Sequence, residues 1–284
     1  LRKASKVDAP VLIGGESGAF EWEAGLRYET TEVTITDRTV SASAENSYET
    51  LLPSAHFKWN VTGEDRILAS VARTVRNPSF SFLSPATLEE ELEDNDFQGN
   101  PDLDPETAWG FDLGYERRLG RTGVAGINFF YRDVTDLIEV VNTGAPSATA
   151  CEDFEDDTGF DCDVIPAGSY DTFVYSARNV GDGTVWGIEF DFSAPLTIVG
   201  LENTGVFLNY SWLDSEVEDF LGERRFNSQA ESIFNVGFIH DMPSLGASFG
   251  ATYRNQGDAF SRVVSEEVST SYGPDLEMFV EKRF

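Results

Sequence analysis

Between Thr107 and Tyr131 apolar and polar side chains alternate residue by residue, and few folds accept that pattern at this length. In the first half Trp109, Phe111, Leu113 and Tyr115 alternate with Gly110, Asp112, Gly114 and Glu116. After a Gly120-Arg121-Thr122-Gly123 reversal, Ala125, Ile127, Phe129 and Tyr131 alternate with Gly126, Asn128 and Arg132. A period of two is that of a β-strand with one greasy face, and the glycines supply the positive φ that a tight hairpin needs. A soluble sandwich shares the alternation. The aromatic weight of the face argues for lipid instead, as do arms reaching the roughly ten residues of a tilted bilayer-spanning strand.

The pattern recurs along the chain. Ala19 to Thr36 sets Trp22, Ala24, Leu26 and Tyr28 against Glu23, Gly25, Arg27 and Glu29. Tyr48 to Val61 does the same with Leu51, Pro53, Ala55, Phe57 and Trp59; Pro53, lacking a ladder donor, is expected at a bulge or irregular rung. Thr184 to Ser193 points Trp186, Ile188, Phe190 and Phe192 one way and Gly187, Glu189 and Asp191 the other. Val7–Glu16, Arg66–Val75, Gly205–Val217, the segments around Phe234–Phe238 and Phe249–Tyr253, and Leu276–Phe284 complete a set of about eleven strands. Their connections are sorted by length. Thr62–Asp65, Gly120–Gly123 and Asp241–Gly246 are short. Asp37–Ser47, Arg76–Glu106, Asn142–Asp171, Glu218–Arg225 and Gly257–Tyr272 are long. Short turns on one rim and long loops on the other mark an antiparallel up-and-down transmembrane β-barrel, an all-β fold.

The 284 residues contain no apolar run near the roughly 18 residues of a spanning helix. With 50 acidic against 20 basic residues the net charge is −30, which argues against nucleic acid as a partner.

Several segments then resemble one family in its order. Gly99, Asn100, Pro101, Leu103, Pro105, Glu106 and Thr107 are followed by an aromatic strand, a short turn, and Tyr131, Asp133, Asp136 and Ile138. This run resembles the late barrel of TonB-dependent outer-membrane receptors. LLPSAHFKWNVTGEDRILASVARTVRNPSF and NVGDGTVWGIEFDF resemble the same family; Arg76 stands one place further from Pro78 than its pattern has it. The resemblance runs from about Ala19 to Phe284. It implies that residues 1–284 are part of a barrel of about 22 strands, with the plug domain and the closing hairpin outside the sequence and Phe284 at a truncation. No leader pattern precedes Leu1, so the first residues are expected to be missing as well.

The resemblance further implies active uptake, across the outer membrane of a Gram-negative bacterium, of a scarce solute such as a ferric siderophore or an oligosaccharide. The TonB energy-transducing complex would act through the plug, with the lipid bilayer and lipopolysaccharide as surroundings. The alternatives are a plugless outer-membrane porin or surface adhesin barrel, and a secreted carbohydrate-binding sandwich. Exposed Trp22, Trp109, Trp186 and Phe190 speak against a soluble molecule.

Chemistry adds little. The histidines, His56 and His240, stand in a strand and beside a turn, and no nucleophile elbow or phosphate loop occurs, so the chain reads as neither an enzyme nor a cofactor protein. Two acidic runs, Glu89–Asp96 and Glu152–Asp161, read as solvated loops; in the second, Gly159 falls one place late for an EF-hand. Cys151 and Cys162 bracket an acidic, turn-forming stretch and, in the barrel reading, are expected to bridge, the other reading being a pair of free thiols. Substrate-binding candidates are Arg73, Arg76, Asn77, Phe80, Phe82 and Asn100, where cation and amide donors stand beside aromatics. The bland reading pairs the arginines with lumen carboxylates and packs the phenylalanines inside the loop.

Overall fold

The computed structural model describes residues 2–36, 43–91, 95–161, 166, 169–219, 222–263 and 266–282. Its wall is an antiparallel meander of β1 (Arg2–Ser17), β2 (Phe20–Thr36), β3 (Ser43–Asn60), β4 (Asp65–Arg76), β7 (Glu106–Leu119), β8 (Gly123–Pro146), β9 (Phe173–Pro195), β10 (Thr204–Asp219), β13 (Ser232–Met242), β14 (Ala247–Gln256) and β17 (Asp275–Lys282). Between β4 and β7 lie β5 (Thr87–Glu91) and β6 (Asn95–Gln98), which join the same 14-stranded open sheet, as does β11 (Gly222–Arg224) beyond β10. Short β12 (Gln229–Ala230), β15 (Ala259–Val263) and β16 (Glu266–Thr270) form a separate sheet among the long loops. No described helix is long and apolar enough to cross a membrane, which says nothing of strands.

Register turns the alternation into an apolar band. Val11 pairs Leu26, Trp22 pairs Phe57, Phe57 pairs Ala69, and Leu113 pairs both Ala69 and Phe129. The row continues through Phe129–Ile188, Phe190–Tyr210, Tyr210–Phe234, Val236–Tyr253 and Tyr253–Leu276. These side chains share one face and most stand open, Leu113 at 56%. Aromatic neighbours meet across strands, Phe20 with Trp59 at 5.5 Å and Trp186 with Trp212 at 5.0 Å, pairs worth roughly 0.2–1 kcal/mol each. Trp186, expected to be exposed, is half-buried by that contact.

The opposite face is polar and has its own device. Phe130, Phe207 and Phe279 stand directly across from Gly187, Gly237 and Gly250. Each ring lies where a glycine Cβ would be; at Gly187 that Cβ would sit 2.8 Å from the Phe130 ring, and at Gly250 2.6 Å from Phe279. Glycine here is a seat for an aromatic ring. Gly237→Ala should therefore destabilise by about 1–3 kcal/mol through overpacking, and Phe207→Ala in the same chain should recover part of the loss. Urea unfolding of the full-length protein in vesicles, run as a double-mutant cycle, reads the coupling; strictly additive losses would refute the seat.

Three local expectations change. At the β7–β8 reversal Gly120 alone takes positive φ (66°), whereas a side chain at Gly123 would strike Leu119. Pro53 sits in an unbroken β2–β3 register, not at a bulge; the β3–β4 ladder begins only at Ser54, so the missing donor falls where pairing with β4 ends. The stretch expected as loop after Asn142 continues β8 to Pro146 and then forms α1 (Ala148–Thr158), capped by the Ser147 hydroxyl accepting from Ala150 N at 3.2 Å and by left-handed Gly159.

Candidate functional site at the mouth of the barrel

The molecule's core is at the long-loop end, not in the wall. Because β3 leaves β4 at Pro53, the outer β2–β3 hairpin stands apart, and the segment after Arg76 folds into that gap. Leu83, Phe97 and Leu103 from this segment pack with Val33, Ile35 and Tyr48 on one side and Ile138, Tyr175 and Ala177 on the other. The Tyr48 hydroxyl donates to Leu103 O at 3.0 Å, and the Asn46 amide to Pro101 O. Gly99 is needed because a Cβ there would fall on the Ser84 backbone. β6 hydrogen-bonds in parallel to β9, an exception in an antiparallel sheet, so this loop is built into the wall above the band.

The next loop is fastened to the first. Asp96, 3% exposed, accepts from Ala148 N at 2.7 Å at the start of α1, where a carboxylate also meets the positive helix end. Asn95 Oδ1 accepts from Phe173 N at 2.7 Å. Glu152, Asp153, Glu155, Asp156 and Asp157, read as loop, ride on α1. Cys151 on the same helix is disulfide-bonded; Cys162, the other half of the expected bridge, lies outside the described residues.

A third loop folds inward after β11. The Phe226 ring covers Gly183, where a Cβ would meet it at 2.8 Å, and packs beside Val134, Leu137 and Val217. Ion pairs hold this loop. Arg224, its side chain 4% exposed, bonds Glu139 and, at 2.7 Å, Asp219; Arg262 on β15 also bonds Asp219, at 2.9 Å, and Glu267 at 2.7 Å. Asn227 joins in through Glu139 at 3.1 Å and the Arg262 carbonyl at 3.2 Å.

Between the first and third loops lies a cleft of about 460 Å³, floored by Leu137 to Val140 and walled by Arg76 to Ser79, Phe82, Phe226 and Asn227. Arg76, Asn77 and Phe82 of the six substrate-binding candidates line it. Arg76 bonds Glu106 at 2.5 Å, and the Asn77 amide donates to Glu29 at 3.4 Å and Thr31 at 3.3 Å. Phe80 and Phe82 pack against the loop core. Asn100 closes its own turn, its side chain accepting from Asp102 N at 3.0 Å. Arg73 is on the other face, paired with Trp109, its guanidinium reaching Leu51 O at 3.5 Å. Glu139, Phe226 and Asn227 were not anticipated. No local pattern marked them: the neighbouring Arg224-Arg225 is one of four adjacent basic pairs, with Arg2-Lys3, Arg117-Arg118 and Lys282-Arg283.

The rim above the band is acidic. Asp136 sits at an irregularity in the β8–β9 register with φ 59°, one residue before the cleft floor. Burial, with Asp104 and Asp182 close by, raises its carboxyl above the usual range. Among the described residues no group of His, Cys, Asp or Glu has the arrangement of a metal site.

Comparison with known proteins agrees with this architecture. No curated protein sequence matches the chain. Among solved structures, the FrpB iron transporter from Neisseria meningitidis (F5-1 variant) superposes with a TM-score of 0.66 at 15% identity, over 99% of this chain and 39% of that one. The copper transporter OprC gives 0.72 at 13%, over 99% and 40%. The ferric enterobactin receptor PfeA from Pseudomonas aeruginosa, in a mutant bound to enterobactin, gives 0.61 at 15%, over 98% and 46%. The chain thus spans less than half the length of each. A family profile described as "TonB dependent receptor-like, beta-barrel" matches residues 13–277. With that match over most of its length, an aromatic outer band and loops sorted by rim, the chain belongs to the TonB-dependent receptor β-barrel family and is an outer-membrane barrel segment of a Gram-negative bacterium.

Proposed function

We propose that this chain supplies lumen wall and capture loops to an active transporter that takes up a scarce solute, with energy delivered by TonB through a plug domain. The observation that carries the reading is the inward folding of two long loops onto a β8 floor, leaving a cleft at the mouth of a family barrel. A barrel of about 22 strands places the plug and the remaining strands in the rest of the parent protein, beyond residues 1–284. The relatives' printed names, an iron transporter and a ferric enterobactin receptor, support ferric chelates as one solute class; an oligosaccharide is the other. Lipid and lipopolysaccharide surround the wall.

Cells lacking the parent gene, and cells lacking TonB, should lose uptake of the same solute when screened with radiolabelled iron chelates and oligosaccharides. Uptake that survives loss of TonB is passive flow and would put a plugless porin in place of the receptor.

A further inference from the structure

We infer that an acidic segment of the same protein's plug seats in a basic pocket at the short-turn rim of the lumen, with Arg118 and Arg121 as its anchors. The inference rests on the uptake reading above, which puts a plug in the bore, and goes further by fixing where and with which charge the plug is held. The pocket, about 630 Å³, lies where the β3–β4 and β7–β8 turns meet. Its Lys58, Arg66, Glu116 and Arg118 alternate along their strands with Trp59, Ile67 and Tyr115 of the outer face, which pair with one another from β3 to β4 to β7. The pocket residues therefore face the lumen, with the wall between them and the lipid. Arg121 lines the pocket from the β7–β8 turn.

The ground is a surplus of cations left after the wall has paired its own charges. Lys58 holds Glu21 at 2.9 Å, and Arg66 bonds Glu116. Glu64 and Asp65 are met by Arg117 at 3.4 and 3.0 Å. Every carboxylate lining the pocket thus has its cation, while Arg118 and Arg121 are exposed and form no ion pair with a described residue. Their frame is tied together. Arg118 N donates to Glu64 O at 2.8 Å, joining the two turns, and the Thr62 hydroxyl accepts from Glu64 N and Asp65 N at 3.1 and 2.9 Å. Two guanidiniums on such a frame suit carboxylates, which each can hold through two N–H groups. The surplus is local, in a chain of net charge −30. The next lumen cavity, about 700 Å³ and sharing Lys58, is lined by Glu16, Glu21, Glu23 and Asp112 instead. The bore changes sign along its length, so an occupant matched to both cavities carries its acids at the rim.

The test is hydrogen–deuterium exchange of the full-length parent protein in detergent, read over the plug. Arg118→Glu with Arg121→Glu should speed exchange about tenfold or more in one plug segment containing Asp or Glu, and leave the wall strands unchanged. Arg118→Lys with Arg121→Lys should keep most of the protection, and raised salt should weaken it in the unmodified protein. Arginine in place of the acids of that segment should restore protection to the doubly reversed variant. Should the reversed variant lose its wall, Arg118→Gln with Arg121→Gln carries the same comparison. A plug that exchanges alike in all variants, or a changed segment without acids, overturns the inference alone. So does an effect confined to retention of phosphatidylglycerol, read by native mass spectrometry. A full-length protein with no folded segment inside the lumen overturns the uptake reading and this inference with it.

Discussion

Replacing Asp219 by alanine should loosen two outer loops together and leave the barrel wall standing. Arg224 and Arg262 both converge on this carboxylate, and it is 7% exposed as a side chain against 4% and 14% for its partners. Removing one member of a buried charge cluster strands the others away from water, a loss of about 3–5 kcal/mol. Glu139 and Glu267 keep one contact to each arginine, so the lower part of that range is expected. Because β11 and the β15–β16 hairpin lie outside the apolar band, the loss should appear as local opening. Cleavage of these loops by an added protease should speed up by roughly 10²-fold or more, following the population of the open form. Asp219→Asn, which keeps the shape and an acceptor, should fall between. Unchanged protection in the alanine variant would mean that the cluster holds nothing.

Leu113→Arg tests the other end of the design, the lipid face. Leu113 is 56% exposed, lies between Trp109 and Tyr115 along β7, and pairs Ala69 and Phe129 in the middle of the apolar band. A guanidinium there must sit in hydrocarbon or drag water to it, costing about 2–4 kcal/mol near the midplane. Asn128→Arg, one residue from Phe129 but on the lumen face within 3.4 Å of Glu189, should cost under half as much. Urea titrations of the full-length variants in vesicles decide this. Equal losses at the two positions would mean that the faces have been assigned the wrong way round.

How much was legible in the sequence follows from what each region is packed against. Strands against lipid obey a two-residue alternation, because one solvent lies outside and another inside. Trp22, Phe111, Ile188 and Tyr253 therefore announced their face without any partner being known. Above the band that constraint lapses. The continuation of β8 past Val141 and the start of β9 at Phe173 pack against folded loops, with register shifts after Val134 and Leu137, so their pattern carries no clean period. α1 was hidden by its acidity: Glu152 to Asp157 read as solvated coil, and its helical state depends on the Ser147 cap and on Asp96, some fifty residues away.

The cleft was half legible for a related reason. Arg76, Asn77 and Phe82 stand beside the Asn77-Pro78 step, where a strand visibly ends. Phe226 and Asn227 come from a loop whose inward fold is decided by Gly183 and Glu139, long-range partners that no local pattern names. Arg73 was grouped with the loop residues near the mouth; counting by twos from Trp109 across the β4–β7 register puts it on the outer face of the wall.

The rings of Phe130, Phe207 and Phe279 have a consequence for traffic through such a barrel. A phenylalanine raised off an inner wall is an obstacle that narrows the bore. Seated over glycine, the same ring shields the backbone beneath it and leaves that much more of the lumen to whatever fills it. An alanine beneath any of the three would lift the ring into the bore, so that lost clearance would accompany the lost packing.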